Sequence, residues 1–246
     1  MAPNFVHGKG TRIYANGFGL STVMRESNFD QSAEAHDVTV YGDGDDRVYI
    51  PGTRDGSLSM SGLHDGSTAE TDRKLKALAG SSALVATIGF GGDTAGGLAH
   101  LINGHITNYT VSSPAGDVVA ASAAVQFSSQ HHSGRWLAAR ASRATATTHP
   151  SVALPGSTLS TRGAIAHLHV FSKTTGAGND FVAKVQDSSN GSVWADLLTF
   201  ATVDSTSIEG SHERVKVAGA VHDNARVVVT TQNSTGVEYA VALARI

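Results

Sequence analysis

The chain has 246 residues with a formal net charge of -3, 12 His, 16% charged residues and no cysteine. These numbers exclude a disulfide framework, a thiolate metal centre and a cysteine nucleophile, and the scattered Lys and Arg form no basic stretch of the kind a nucleic-acid binder uses. Low aromatic content (6%) with 27 glycines and abundant Ala, Ser, Thr and Val suits short strands and many turns, so the expected class is mainly β.

The length allows one large sandwich or two modules of about 100 to 150 residues, and two modules fit the pattern better. Met1-Ala2-Pro3-Asn4 opens without a basic n-region, and no apolar run approaches the roughly 18 to 20 residues of a membrane span. Neither a secretory signal nor a transmembrane helix is expected.

Residues 1–10 read as a polar arm. Its Gly8-Lys9-Gly10-Thr11 holds part of a phosphate-loop pattern, but the first glycine and the preceding strand are missing, so nucleotide binding is not expected. Residues 11–14 are strand-like and Asn16-Gly17 signals a turn. Val38 and Val40 alternate with Asp37, Thr39 and Tyr41, predicting a strand over 37–41, followed by the acidic glycine-rich turn Gly42, Asp43, Gly44, Asp45 and Asp46. Leu58 and Met60 then alternate with Ser57, Ser59 and Ser61, the period of a half-buried strand whose other face is short and hydroxylated.

Ser67-Thr68-Ala69-Glu70 has the form of a capping box, Leu75, Leu78 and Ala79 share a helical face, and Gly80 is a natural stop, so a helix is expected here. Residues 84–88 read as a strand and 89–97 as a glycine-rich hairpin loop; the Gly-x-Gly-x-x-Gly spacing of a dinucleotide loop is absent. Residues 98–111 and 118–127 read as paired long strands. The polar run 128–134 and the arginines Arg135, Arg140 and Arg143 suggest a linker. Beyond it, strands are expected over 164–171, 181–186, 193–203, 213–217, 226–231 and 239–244, at the spacing of a β-sandwich. Asn190-Gly191 is a hairpin turn signal, and Trp194, Leu197, Phe171, Phe181 and Phe200 are the expected aromatic core.

Sites for chemistry are weakly signalled. His131-His132 are adjacent and would point to opposite faces of a strand. His167 and His169 share a face, but no third ligand accompanies them, so they read as histidines on a solvent or subunit face. The sequons at Asn108, Asn190 and Asn233 carry no weight without a secretory signal. No Ser-His-Asp set or paired carboxylates stand out. The expectation is a protein that is not an enzyme, with no cofactor and no metal.

The order of segments resembles a known family. The run Asn16-Gly17-Phe18-Gly19-Leu20-Ser21, the strand end Val38-Thr39-Val40-Tyr41-Gly42-Asp43, and Tyr49-Ile50-Pro51-Gly52 with Asp55-Gly56 are its first part. Ser61-Gly62-Leu63-His64-Asp65, Tyr109-Thr110-Val111-Ser112-Ser113-Pro114 and Gly116-Asp117-Val118-Val119 complete it. Together they are similar to the major tail tube protein of long, non-contractile-tailed (siphovirus-type) bacteriophages, over roughly the first half of the chain.

The resemblance implies a tail tube domain over 1–130 with an arm at 1–10, a linker at 131–144, and a β-sandwich module at 145–246, either an outer decoration or a second tube-like fold. It implies a virion protein, assembled in the host cytoplasm, that self-assembles into stacked rings, hexameric or trimeric, and meets tape measure, terminator and distal tail proteins. DNA would pass through without specific binding, which a mildly acidic wall favours. The turn Gly42 to Asp46 and the N-terminal arm are the expected ring-stacking segments. The competing reading is a non-enzymatic binding module for carbohydrate or a cell surface, with Trp194 and Tyr239 as stacking platforms.

Overall fold

The computed structural model describes residues 6–41, 44, 46–65, 71–80, 84–129, 131–156, 159–173, 181–203, 210–232 and 236–246. In chain order their strands are β1 (Arg12–Ala15), β2 (Phe18–Gly19), β3 (Met24–Asp37), β4 (Tyr49–Leu63), β5 (Leu84–Gly89), β6 (Leu98–Ser112), β7 (Ala120–Phe127) and β8 (His132–Arg143). There follow β9 (Val152–Ala153), β10 (Ala164–Lys173), β11 (Phe181–Ser188), β12 (Ala195–Thr199), β13 (Ser211–Val217), β14 (Asn224–Gln232) and β15 (Val237–Arg245). Among the described residues one α-helix, α1 (Thr71–Leu78), separates β4 from β5. The protein is mainly β, as composition suggests.

Two compact units interleave along the chain. The first comprises Met1–Thr22, Leu84–Ile102 and His131–Ile246; the second comprises Val23–Ala83 and Asn103–Gln130.

In the first unit a sheet ordered β13-β10-β15-β8-β6-β5-β1-β2 stands against a smaller one ordered β12-β11-β14-β9. Strands β10 and β15 are covered on both faces, which is why they read as almost unbroken apolar runs. Leu168, Val170, Tyr239, Val241 and Leu243 pack towards Phe181, Val185, Phe200 and Val227 between the sheets. Ile165, Phe171, Ala240, Ala242 and Ala244 point the other way, where three alanines leave room for Tyr14 and Trp136. The tyrosine ring meets Trp136 edge-on at 5.4 Å and Phe171 at 4.7 Å. Burying each such side chain stabilises the fold by roughly 1.5–3 kcal/mol, so this double layer contributes strongly to the unit's stability.

The second unit has the strand order β3-β4-β7-β6, all antiparallel. Leu58, Met60, Ile106, Ala121, Ala123 and Val125 are buried at every second position, and Leu75 of α1 is fully buried. The helix is tied to β6 by Tyr109, whose hydroxyl donates to Asp72 Oδ1 at 2.7 Å, and by Gly80 N donating to Ile106 O at 3.2 Å. Gly80 adopts φ +79°, the left-handed stop its position requires.

Several expectations change. The stretch read as a linker, 131–144, is strand β8, paired to β15 from Arg135 to Arg143. Two of its three arginines mislead because they lie across aromatic or acidic neighbours: Arg140 forks onto Glu238 at 3.0 and 3.1 Å above Phe171, and Arg143 lies 4.5 Å from the Tyr239 ring. The strand expected over 37–41 is displaced, because β3 ends at Asp37 and its pairing with β4 runs back to Met24. The polar sequence of β3 has no buried face over most of its length, so it offers no alternation to read. Trp194 is half-buried and stacks under Arg226 at 4.2 Å, whereas Trp136, from the supposed linker, is the fully buried tryptophan. Phe171, Phe181 and Phe200 are buried as expected. The capping box at 67–70 lies outside the described residues.

Candidate functional site

The second unit carries its most distinctive feature beyond the sheet. Strand β4 pairs with β7 only from Ser57 to Leu63, while its pairing with β3 continues outward to Tyr49. Residues 31–37 and 49–56 therefore form a two-stranded ribbon roughly 25 Å long at about 3.4 Å per residue. Nearly all of it is exposed. Beyond the strands, Val38 N donates to Val48 O at 2.9 Å, and Asp37 accepts from both the hydroxyl and the amide of Thr39, which holds its carboxyl below the usual carboxylate range.

The end of the ribbon is apolar where a solvated hairpin would be polar. Val38, Val40, Tyr41, Val48, Tyr49 and Ile50 are all at least 40% exposed, with Val40 at 62% and Tyr41 wholly so. Two-stranded ribbons are marginal alone in water, and an exposed apolar cluster of this kind marks a contact surface. At its base Phe127 packs over Gly56 and lies 5.5 Å from Phe29, so the ribbon springs from a fixed aromatic hinge point.

Two depressions lie on the same unit. One, of about 270 Å³, opens on the sheet's hydroxylated face, lined by Glu26, Asn28, Ser59, Ser61, Asn108 and Ser122 among others. Leu58 and Met60 are buried while Ser59 is exposed, as the alternation predicts. The other, of about 650 Å³, runs between α1 and the edge of β6, with Lys76, Ala79, His105, Thr107, Tyr109 and Val111 in its walls.

Of the expected stacking segment, Gly44 and Asp46 are described, both exposed at the ribbon's end, with Gly44 at φ +73°. Gly42, Asp43 and Asp45 lie outside the described residues, as do residues 1–5 of the arm and the sequon at Asn233. Gly8–Gly10 is a 3-10 turn capped by His7, whose Nδ1 accepts from Lys9 N at 3.0 Å. The ribbon itself was missed except for its tip, although Asp-rich turn residues between two apolar pairs were the available signal.

His167 and His169 are not on a solvent face. They are 1% and 0% exposed, and Thr87 Oγ1 lies 3.0 Å from His167 Nδ1 and 2.9 Å from His169 Nε2. Gly17 N donates to His169 Nδ1 at 3.3 Å, so His169 carries its proton on Nε2 and donates to Thr87, which in turn donates to His167. Burial first, then the neighbouring imidazoles, holds both well below the ordinary histidine range. They join β10 to β5 and the β1–β2 turn, a contact between distant segments that strand alternation cannot reveal. Tyr239 is fully buried with its hydroxyl 2.8 Å from His149 Nε2, so it is no stacking platform. Among the described residues no group of three His, Asp or Glu is placed to hold a metal, and no helix is long and apolar enough to cross a membrane.

No family model matches the sequence, and no curated protein matches it. Among solved structures, a chain from the virion of a native gene transfer agent particle is 16% identical with a TM-score of 0.41, covering 51% of this chain and 95% of that one. A chain from the tail of an empty gene transfer agent particle with C6 symmetry is 18% identical with a TM-score of 0.37, covering 44% and 80%. The SPP1 Dit protein, described as a paradigm of the hub adsorption apparatus in phages infecting Gram-positive bacteria, is 12% identical with a TM-score of 0.38, covering 96% and 99%. TM-scores below 0.5 do not define a shared fold.

Proposed function

We propose that the protein is a structural subunit of a phage-type tail, found in the virion, whose copies associate into rings that stack as a hollow tube for DNA. The observation that carries this reading is the exposed ribbon with its apolar end, set on a β-rich unit whose segments resemble tail tube proteins. Copies meet through the edges of their sheets, which removes unpaired strand edges from solvent. Ribbon ends, including Gly42 to Asp46, meet the next ring. Contacts within a ring are heterologous and close, whereas those between rings do not close and propagate a filament. A six-fold ring of single chains is the form proposed, the unit bearing α1 occurring once among the described residues. The chain acts by binding its own copies and other tail proteins; no catalytic step is assigned to it.

Electron microscopy of purified protein at rising concentration tests this. The full chain should give rings or tubes, and a variant with residues 32–55 replaced by Asn-Gly, a two-residue turn that closes the shortened hairpin, should stay folded but unstacked. Tubes from the shortened variant would remove the ribbon from assembly. Rings that never stack would replace the tube reading with a single-ring tail component.

A further inference from the structure

Resting on that reading, we infer that the apolar end of the ribbon seats in the groove between α1 and β6 of a second copy of this chain. The ribbon end and the groove belong to the same chain, yet each is open: Tyr41 touches solvent on all sides, and Lys76, Ala79, Thr107 and Val111 are exposed along the groove. A surface knob and a receptive groove at different places on one molecule make a head-to-tail contact, the geometry that builds rings or filaments rather than closed pairs.

Size and chemistry match. About 650 Å³ is the volume of a site for a drug-sized ligand, enough for a few side chains of a hairpin end. The groove's apolar wall, Ala79 and Val111, is of the same apolar kind as the surface that Tyr41, Tyr49 and Ile50 present. Lys76 in the groove's wall suits a ribbon end that carries Asp37 and Asp46, and Asp72, also in the wall, suits the Arg47 of that end.

The groove is also held open by design of its walls. Tyr109 clamps the helix at Asp72, and Gly80 N bonds Ile106 O at the helix's far end, so the space between is spanned by fixed points. Thr107 sits at the bulge of β6, where the register with β7 shifts between Ile106 and Asn108, and this turns an exposed edge residue into the groove. Burying the ribbon's end there relieves the exposure of a marginal two-stranded element.

The chain has no cysteine, so introduced thiols report this contact alone. Chains carrying Tyr41→Cys and Thr107→Cys are mixed, imaged, and treated with a short bis-maleimide; Asp46→Cys and Val111→Cys form a second pair, and circular dichroism confirms folding. Cross-linked heterodimers from each mixture, ladders from one chain carrying both Tyr41→Cys and Thr107→Cys, and no cross-link from any single variant alone are expected. Cross-linking of Tyr41→Cys chains alone would show ends meeting ends and overturn the inference. Filaments without any cross-link from either pair would overturn it too, leaving another tail protein or another face as the ribbon's partner while the assembly reading stands. Absence of rings and filaments from the parent chain at every concentration would overturn both.

Discussion

Thr87 is the smallest residue on which much of the first unit depends. Its one hydroxyl partners one ring nitrogen of each of two buried imidazoles from β10, and one of them, His169, reaches the β1–β2 turn through Gly17. Thr87→Val keeps the shape and removes the hydroxyl, leaving His167 Nδ1 and His169 Nε2 unpartnered in the interior. Each such group costs about 1–3 kcal/mol, so the variant should lose at least ~1–3 kcal/mol in urea denaturation; an unchanged midpoint would mean that water or a repacked neighbour serves them. The same burial makes stability depend on pH. His169 is pushed down to about 3, by burial and then His212, and His149 to about 4, by burial and then Arg143, from an ordinary 6.5. The unfolded chain therefore binds protons that the folded chain refuses. Stability is full above pH 6.5 and is lost as pH falls through the window towards 4 and 3. The urea midpoint should drop between pH 7 and 5, before carboxylates protonate, and a flat midpoint over that range would contradict neutral buried histidines.

At the scale of elements, the ribbon and the doubly covered strands are opposites written in different codes. Strands β10 and β15 announce themselves by apolar density, and the expected bounds 164–171 and 239–244 fall inside the observed Ala164–Lys173 and Val237–Arg245. Strand β6, β7 and the Ser57-Leu58-Ser59-Met60-Ser61 run of β4 were legible for the related reason that one face is buried and one is not. Strand β3 was illegible because solvent lies on both sides of it over most of its length, and a strand without a buried face leaves no periodicity. Strand β8 was misread because cation–aromatic and ion-pair contacts made across strands look, in sequence, like a solvated linker.

For the whole molecule, interleaving of the two units bears on how the chain can be divided. A fragment 145–246 would carry β10 and β15 but lose β8, the partner of β15, together with Tyr14 and Trp136, which cover its alanine face. That fragment should be unfolded or aggregate, with no dispersed amide spectrum. A well-dispersed spectrum would show that the second sheet alone secures the sandwich and that the chain divides at 131–144.

The sequence by itself determined the β class, the positions of strands with a buried face, the Asn16-Gly17 turn, the helix ahead of Gly80, and the aromatic core of Phe171, Phe181 and Phe200. Those features are local: period, turn chemistry and apolar density act within a few residues, so they survive being read in one dimension. Only the tertiary structure decided that Trp136 rather than Trp194 is the buried tryptophan, that His167 and His169 share one threonine hydroxyl, and that 131–144 belongs to the main sheet. It also set the ribbon's reach beyond β7. Each of these rests on what lies across from a residue at a sequence distance of tens of positions or more, and that pairing is fixed by register and packing rather than by neighbours along the chain.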